Sequence, residues 1–446
     1  MRNTIAVLSV FIILCGTALA VEENQGITVG TGLLKIGGYL QTGYVMISEK
    51  VSTPQYDTDG TYTGDQSVTT DTNTFRVRRA RVKLQSEIIE KIVGGVAEYD
   101  FVDSSIKEVY FWFSPQWEPF KLLVGREKTP WMQENITSTA DLTWVDRSIV
   151  ADKFGHEYDY GLRLDLNYPL NDMNNLLVGL MYSNGYGVTG AEQATDFDSD
   201  VDKVTVTSDE FGNPSITATS KRTDLKDIAA RVAWAGKFND DFNMMIGAAI
   251  MMNKATNFDL ASTTLNTVES QPITADVALK YTQLNVVGSY TMDTHKNTLD
   301  TYQVDPDNAD AYIINTGELK DTVNGMMGGA SYAFKIEGTP ILTAIEPAVR
   351  YASYTDKQTL SVTNPDPDLS VPSHSTSDDE VTQIAAGLNF LMEKHNAKFQ
   401  LNYVLQNEKI TPYTPDDPTI PDSTWSAKEP TKIDDGKIQF QFQVKF

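Results

Sequence analysis

KIQFQFQVKF, residues 437–446, is the last stretch of the chain. Lys437, Gln439, Gln441, Gln443 and Lys445 alternate with Ile438, Phe440, Phe442, Val444 and Phe446. Successive side chains of a strand point to opposite faces, so one face of this segment is wholly polar and the other wholly apolar. A strand of a two-sheet sandwich carries the same pattern, so the stretch alone leaves two architectures open.

The same alternation recurs upstream. In 161–170, Leu162, Leu164, Leu166 and Tyr168 oppose Arg163, Asp165 and Asn167. In 398–406, Phe399, Leu401, Tyr403 and Leu405 oppose Lys398, Gln400 and Asn402. No window after residue 20 is long and apolar enough for a membrane helix, but a spanning strand needs only about 9–11 alternating residues. A mean hydropathy of −0.30 is therefore compatible with a membrane barrel.

The connections separate the two architectures. Some are tight, as at 169–175, 237–241, 337–340 and 393–396. Others are long, acidic and rich in Ser, Thr, Asp and Pro: 48–73, 184–225, 254–272, 293–321, 355–380 and 409–435. Short turns at one end and long loops at the other are the habit of transmembrane β-barrels. Long structureless loops are uncommon inside compact soluble domains. Fourteen strands are legible, and 273–291 holds either one more or two with a turn near Tyr281–Leu284. Two make sixteen, the even number that leaves both termini on the periplasmic side, and a size at which barrels enclose water. The expected fold class is an all-β, transmembrane antiparallel barrel over residues 21–446, in one domain.

Residues 1–20 read as an export signal: Arg2, an apolar run from Ile5 to Leu14, then Ala18-Leu19-Ala20 as a cleavage site. Cys15, the only cysteine, falls inside it. The expected mature chain is exported to an oxidising compartment without using a disulfide.

FRVRRARVK, residues 75–83, packs five cations into nine residues of a chain whose net charge is −24. Its apolar parity changes: Phe75 and Val77 are odd, Val82, Leu84 and Ile88 even. A β-bulge near Arg79–Ala80 would absorb the extra residue and keep the apolar face on lipid. Arg76, Arg78, Arg81 and Lys83 would then all point into the lumen, away from a lipid face where Arg or Lys costs up to about 2–4 kcal/mol at the midplane. A position at the rim, or neutralisation of Glu98, Asp100 and Glu108 on neighbouring strands, stays open.

F-R-V-R-R-A-R (75–81), E-Y-D-F (98–101), L-L-V-G-R-E-K-T-P-W (122–131), T-S-T-A-D-L-T-W-V-D-R-S (137–148) and Y-D-Y-G-L-R-L (158–164) occur in that order. Together they resemble the phosphate-selective porin O and porin P family of Gram-negative outer membranes, and the terminal Phe446 resembles the end of an outer-membrane barrel's closing strand. The resemblance implies a sixteen-stranded outer-membrane barrel, usually a homotrimer, in contact with lipid and lipopolysaccharide. It implies small hydrophilic solutes or anions such as phosphate as cargo. It implies an inward-folded constriction loop, here 129–157, and anion-interacting roles for Arg76, Arg78, Arg81, Arg126, Lys128 and Arg147, with Lys83 added by its place in the basic stretch. A long ladder of arginines on other strands is not visible; Arg163, Arg231 and Arg350 are isolated. The acidic balance fits a general or weakly cation-selective pore better than strong anion selection, unless most acids sit on outer loops.

Other chemistries find no constellation. Four His residues lack metal spacing, and there is no G-x-S-x-G, P-loop or cysteine nucleophile. The acidic strings 196–202 and 305–310 lack the Gly and distal Glu of an EF-hand loop. No enzyme activity, cofactor, metal or nucleic-acid partner is expected. A non-conducting surface barrel is the remaining alternative.

Overall fold

The computed structural model describes residues 27–29, 32–57, 62–115, 119–185, 204–208, 214–218, 226–259, 264–305, 308–339, 341–363, 374–392, 396–415 and 430–446. Sixteen strands form a wall: β1 (Gly32–Tyr56), β2 (Tyr62–Ile89), β3 (Val93–Asp100), β4 (Ser105–Phe113), β5 (Phe120–Lys128), β6 (Tyr158–Asn171), β7 (Asn174–Ser183), β8 (Asp227–Lys237), β9 (Phe242–Asp259), β10 (Ile273–Tyr281), β11 (Leu284–Asp305), β12 (Asn308–Tyr332), β13 (Ala344–Thr363), β14 (His374–Leu391), β15 (Ala397–Pro415) and β16 (Thr431–Lys445). Each pairs antiparallel with the strand before and after it, and β16 pairs with β1 from Tyr39↔Lys445 to Ser52↔Lys432, which closes the cylinder. Closure runs to the final residue. The Gly38 amide donates to the Phe446 carbonyl (2.9 Å), and the Phe446 amide donates back to Gly38 (3.0 Å).

Three short segments, 27–29, 264–270 and 334–335, extend the wall, and 204–208 with 214–218 form a separate hairpin. Residues 1–20, the expected export signal, lie outside the described residues. No helix among the described residues is long and apolar enough to cross a membrane.

Burial is inverted relative to a soluble sheet. On β16, Gln439, Gln441 and Gln443 are at most 3% exposed, whereas Phe442 is 43% exposed. Phe75, Phe111, Val232, Val349 and Ile384 belong to the same exposed apolar outside. The inward amides satisfy one another: Gln441 Nε2 donates to Gln400 Oε1 (3.0 Å), and Gln41 Nε2 to Gln443 Oε1 (2.6 Å). This distribution suits a cylinder with lipid outside and a polar interior.

The segment 273–291 resolves as β10 and β11, joined by Thr282 and Gln283, with Tyr281 opposite Leu284. Thr282 takes the left-handed conformation (φ 50°) that such a turn needs, without a Gly to signal it.

Several expected loops are partly strand. β1 and β2 continue as a hairpin through most of 48–73, to Tyr56↔Tyr62, and β11 and β12 do the same in 293–321. A hairpin that projects beyond the bilayer is wetted on both faces. It keeps its Thr and Val and its backbone pairing but loses the apolar alternation that makes a strand legible.

The end that carries the tight turns and both termini has an aromatic girdle. Phe238 stacks on Phe242 (4.9 Å between centroids), Phe242 meets Tyr281 (6.2 Å), and Tyr332 meets Phe334 (4.7 Å). Trp112, Trp131 and Tyr354 stand near strand ends, where an interface girdle and ordinary packing are equal expectations from sequence, and they are turned inward. Trp112 and Trp131 are buried, and Tyr354 packs on Phe154. Trp117 lies outside the described residues.

Candidate pore-lining site

Residues 129–157 connect β5 to β6 and carry two single-turn helices, α1 (Gln133–Ile136) and α2 (Ile149–Lys153). The segment is knotted from within. Lys128 Nζ donates to the carbonyls of Asn135, Ile136 and Thr137 at 2.9–3.1 Å. Arg147 donates to the carbonyls of Glu134, Asn135 and Thr137 and pairs with Glu157 at 2.9 Å. Ser148 caps α2 by accepting from the Ala151 amide (3.1 Å), and its own hydroxyl donates to Glu134 (2.6 Å).

The segment also grips the inside of the wall. Trp131, Met132, Val150, Ala151 and Phe154 are buried against Met181 of β7, Met251 of β9, Val323 and Met327 of β12, Ala352 of β13 and Val381 of β14. Gly325 leaves the space: a Cβ there would come within about 2.9 Å of Val150 and Phe154 side chains. Trp144 makes a second contact with Ala348, Ala385 and Val404.

Polar clamps surround these contacts. Arg231 of β8 chelates Asp276 of β10 through two 2.7 Å bonds and donates to the Trp131 carbonyl (2.8 Å). Arg350 of β13 donates to the carbonyls of Asp146 and Arg147 and lies 5.0 Å from the Trp144 ring. Lys398 of β15, only 1% exposed, donates to the Leu142 carbonyl (2.7 Å).

Asp146 is the ionic centre of the segment. It pairs with Arg78 of β2, and Lys437 Nζ and Gln439 Nε2 of β16 both reach it at 2.6 Å. Burial would raise its carboxyl, but Arg78, Lys437 and Gln439 hold it well below the usual carboxylate range. At the segment's end, burial pushes the His156 imidazole down to about 4, so it is neutral at pH 7.

The basic stretch lies on the inner face of β2. The bulge falls one residue before the predicted place. Gln41 pairs with Arg79 and Thr42 with Val77, which leaves Arg78 as the extra residue. Arg79, not counted among the inward cations from sequence, therefore also points inward and donates to Gln41 Oε1 (2.8 Å). Arg81 is bound to Asp100 (2.8 Å) and Glu98 (3.1 Å) of β3, and Lys83 to Glu108 of β4 (2.5 Å). Arg76 shares the inner face with Arg78, opposite the exposed Phe75 and Val77.

Tyr158, whose hydroxyl accepts from Arg81 (3.3 Å), links this group to Arg126, whose guanidinium lies 6.0 Å from the Tyr158 ring. Arg126 is the register partner of Val109, which is exposed on the outer face, and its guanidinium lies 5.0 Å from the Tyr160 ring. Arg76, Arg78, Arg81 and Lys83 share one wall, Lys128 and Arg147 brace the inward segment, and Arg126, Lys128 and Arg81 meet at Tyr158.

Sequence reasoning missed the clamps Arg231, Arg350, Lys398 and Asp146 as a group. A signal was present: Arg350 and Lys398 are inward cations whose opposite register positions, Ala385 on β14 and Gln443 on β16, offer no carboxylate. Such cations call for partners from a segment inside the barrel.

The family model for phosphate-selective porin O and P matches residues 51–420. The chain belongs to that family. It is an outer-membrane porin of the Gram-negative type, a channel. Solved structures similar to this porin include an anion-selective porin from Comamonas acidovorans (13% identity, 93% of this chain and 100% of that one, TM-score 0.49). The outer-membrane channel DcaP of Acinetobacter baumannii is also similar (12% identity, 95% and 100% covered, TM-score 0.45). So is OmpT of Vibrio cholerae in its trimer form (10% identity, 94% and 100% covered, TM-score 0.47). Among curated proteins none matches the porin.

Proposed function

We propose that residues 129–157 are the constriction of this porin and that the inner face of β2 is the anion-contacting side of the remaining passage. Arginine offers a planar set of donors that replaces part of an anion's hydration. The observation that carries the reading is the pairing of Asp146 with Arg78 and Lys437, which ties the inward segment beside the cationic wall.

The same geometry favours a general diffusion channel over a dedicated phosphate channel. Arg78, Arg81 and Lys83 already have carboxylate partners, so a phosphate would have to displace a carboxylate at each. The cargo is small hydrophilic solutes, with anions drawn locally to Arg76 and the partly open Lys83.

The assembly proposed is a homotrimer. β3, β4 and β5 are only 8 or 9 residues long, yet their outer faces expose Ile106, Phe111, Phe113 and Val124. A low apolar wall of this kind suits contact with another subunit, and the rest of the outer belt suits lipid and lipopolysaccharide.

Replacing Arg76, Arg78, Arg81 and Lys83 by Gln should lower the chloride share of the current several-fold, read as the zero-current potential across a KCl gradient. Arg76→Gln with Lys83→Gln should move it the same way by less, without stripping Asp146 or Asp100 of its arginine. An unchanged potential in both, with conductance retained, would remove this wall from the pathway.

A further inference from the structure

The rung of the inner wall next to the constriction, on the long-loop side, is acidic over seven adjacent strands. Val323, Ala352 and Val381 hold α2 from β12, β13 and β14. One or two same-face positions further on stand Asp321, Asp356 and Asp379. Asp293 continues the series on β11, Glu408 on β15, Asp435 on β16 and Glu49 on β1.

The register makes these carboxylates one belt. His295 lies opposite Asp321, Asp356 opposite Asp379, and Asp435 opposite Glu49, while Glu408 pairs with Val381 two residues from Asp379. Like charges directly opposite on neighbouring strands destabilise a sheet, and here it happens twice. Three cations stand by the belt among the described residues. His295 is hydrogen-bonded to Asp293, Lys437 is engaged by Asp146, and Lys153 of α2 lies 5.5 Å from the ring of Tyr354, whose hydroxyl is 3.5 Å from Asp356. The constriction cations Arg147 and Lys128 are engaged by Glu157 and by backbone carbonyls within the segment.

Asp321 points independently to a missing partner. Its side chain is on the inner face, the residue is 6% exposed, and its Oδ1 has no hydrogen-bond partner. A buried carboxylate oxygen without a donor is costly unless a cation or a proton supplies what the protein does not.

We propose that this belt is a cation-binding filter, centred on Asp321, Asp356 and Asp379, that collects small hydrated cations, divalent over monovalent, and makes the channel prefer cations despite the arginine wall. Rings of Asp and Glu act in this way in cation-conducting pores. Oxygen-rich, loosely arranged carboxylates suit hydrated hard cations. The belt covers seven of the sixteen strands on one side of the mouth, whereas the arginines of the β2 wall are largely neutralised by Asp100, Glu98, Glu108 and Asp146. The inference rests on the porin reading.

The test uses the full mature protein in planar bilayers at low ionic strength. The wild type should show a K⁺/Cl⁻ permeability ratio above one, and Mg²⁺ added on the long-loop side should reduce its K⁺ current. Asp321→Asn with Asp356→Asn and Asp379→Asn should lower the ratio several-fold and abolish the Mg²⁺ effect while conductance persists. Glu49→Gln with Asp435→Asn, at more exposed positions, should lower the ratio in the same direction and guards against a folding failure in the triple variant. A wild-type ratio below one, or conducting variants whose ratio and Mg²⁺ response match the wild type, would overturn the proposal. Absence of any wild-type conductance would instead sink the porin reading, and the filter with it.

Discussion

Excising residues 131–155 yields a barrel that still folds and conducts several-fold more current per channel. Lys128 and Tyr158 are register partners at the ends of β5 and β6, so the remaining Thr129, Pro130, His156 and Glu157 form a hairpin loop of ordinary length. No wall strand depends on the excised segment for its ladder, because each is paired on both sides by another wall strand. Sixteen strands enclose a lumen wide enough for water when nothing fills it.

The cost of excision appears in stability. Met181, Met251, Val323, Met327 and Val381 lose their apolar cover and face water, at about 25 cal/mol per Å² newly exposed. Lys398, which now donates to the Leu142 carbonyl, must be hydrated instead. The variant should therefore unfold at a lower temperature while conducting more. Single-channel recording checks the first point and heat-shifted gel mobility the second. A conductance equal to that of the wild type would mean that solutes do not pass the segment at all.

Replacing Arg231 by Ala should be the most damaging single substitution in the wall, at roughly 3–5 kcal/mol, the usual result of leaving one member of a buried pair alone. Arg231 and Asp276 are 7% and 5% exposed, and Arg231 also holds the Trp131 carbonyl. Removing Arg231 strands the Asp276 carboxylate and unties the start of the constriction together. Substituting both, Arg231→Met with Asp276→Leu, should recover most of the loss, because two charges then no longer need to be desolvated. Urea or thermal unfolding of the refolded barrel measures both. A loss below about 1 kcal/mol for Arg231→Ala, the range of exposed pairs, would show that water reaches this pair.

What the sequence discloses and what it hides follow from where the constraint acts. The alternation in 437–446 is imposed by lipid on one side and a polar lumen on the other, so it survives in the residues as written. The same holds for β6, β8, β14 and β15. The turn at Thr282-Gln283 was inferred from length and parity, although it contains neither Gly nor Pro. The parity change in the basic stretch disclosed a bulge, but not that Arg78 is the bulged residue, and so Arg79 was left out of the inward set.

The hairpin extensions beyond the bilayer were hidden because no apolar phase acts on them. The clamps on 129–157 were hidden for a different reason. Arg350 and Lys398 meet carbonyls of a segment some two hundred residues away, and carbonyl groups leave no mark in a sequence. The inward turn of Trp112 and Trp131 was hidden because a tryptophan at a strand end suits a membrane interface and a packed lumen equally well.

The arrangement on which all of this depends is the contact of α2 with the inner face of β12. A cysteine pair tests it directly. In the variant Val150→Cys with Gly325→Cys, the two Cβ atoms fall within disulfide range, since a Cβ at 325 already approaches the Val150 methyls to about 3 Å. Cys15 is the only native cysteine and lies in the expected export signal. The account predicts that the oxidised mature variant forms this crosslink nearly completely, seen as loss of both free thiols and a mobility shift that reductant reverses. Two thiols that remain free and react freely with a small alkylating reagent in the folded barrel would contradict it.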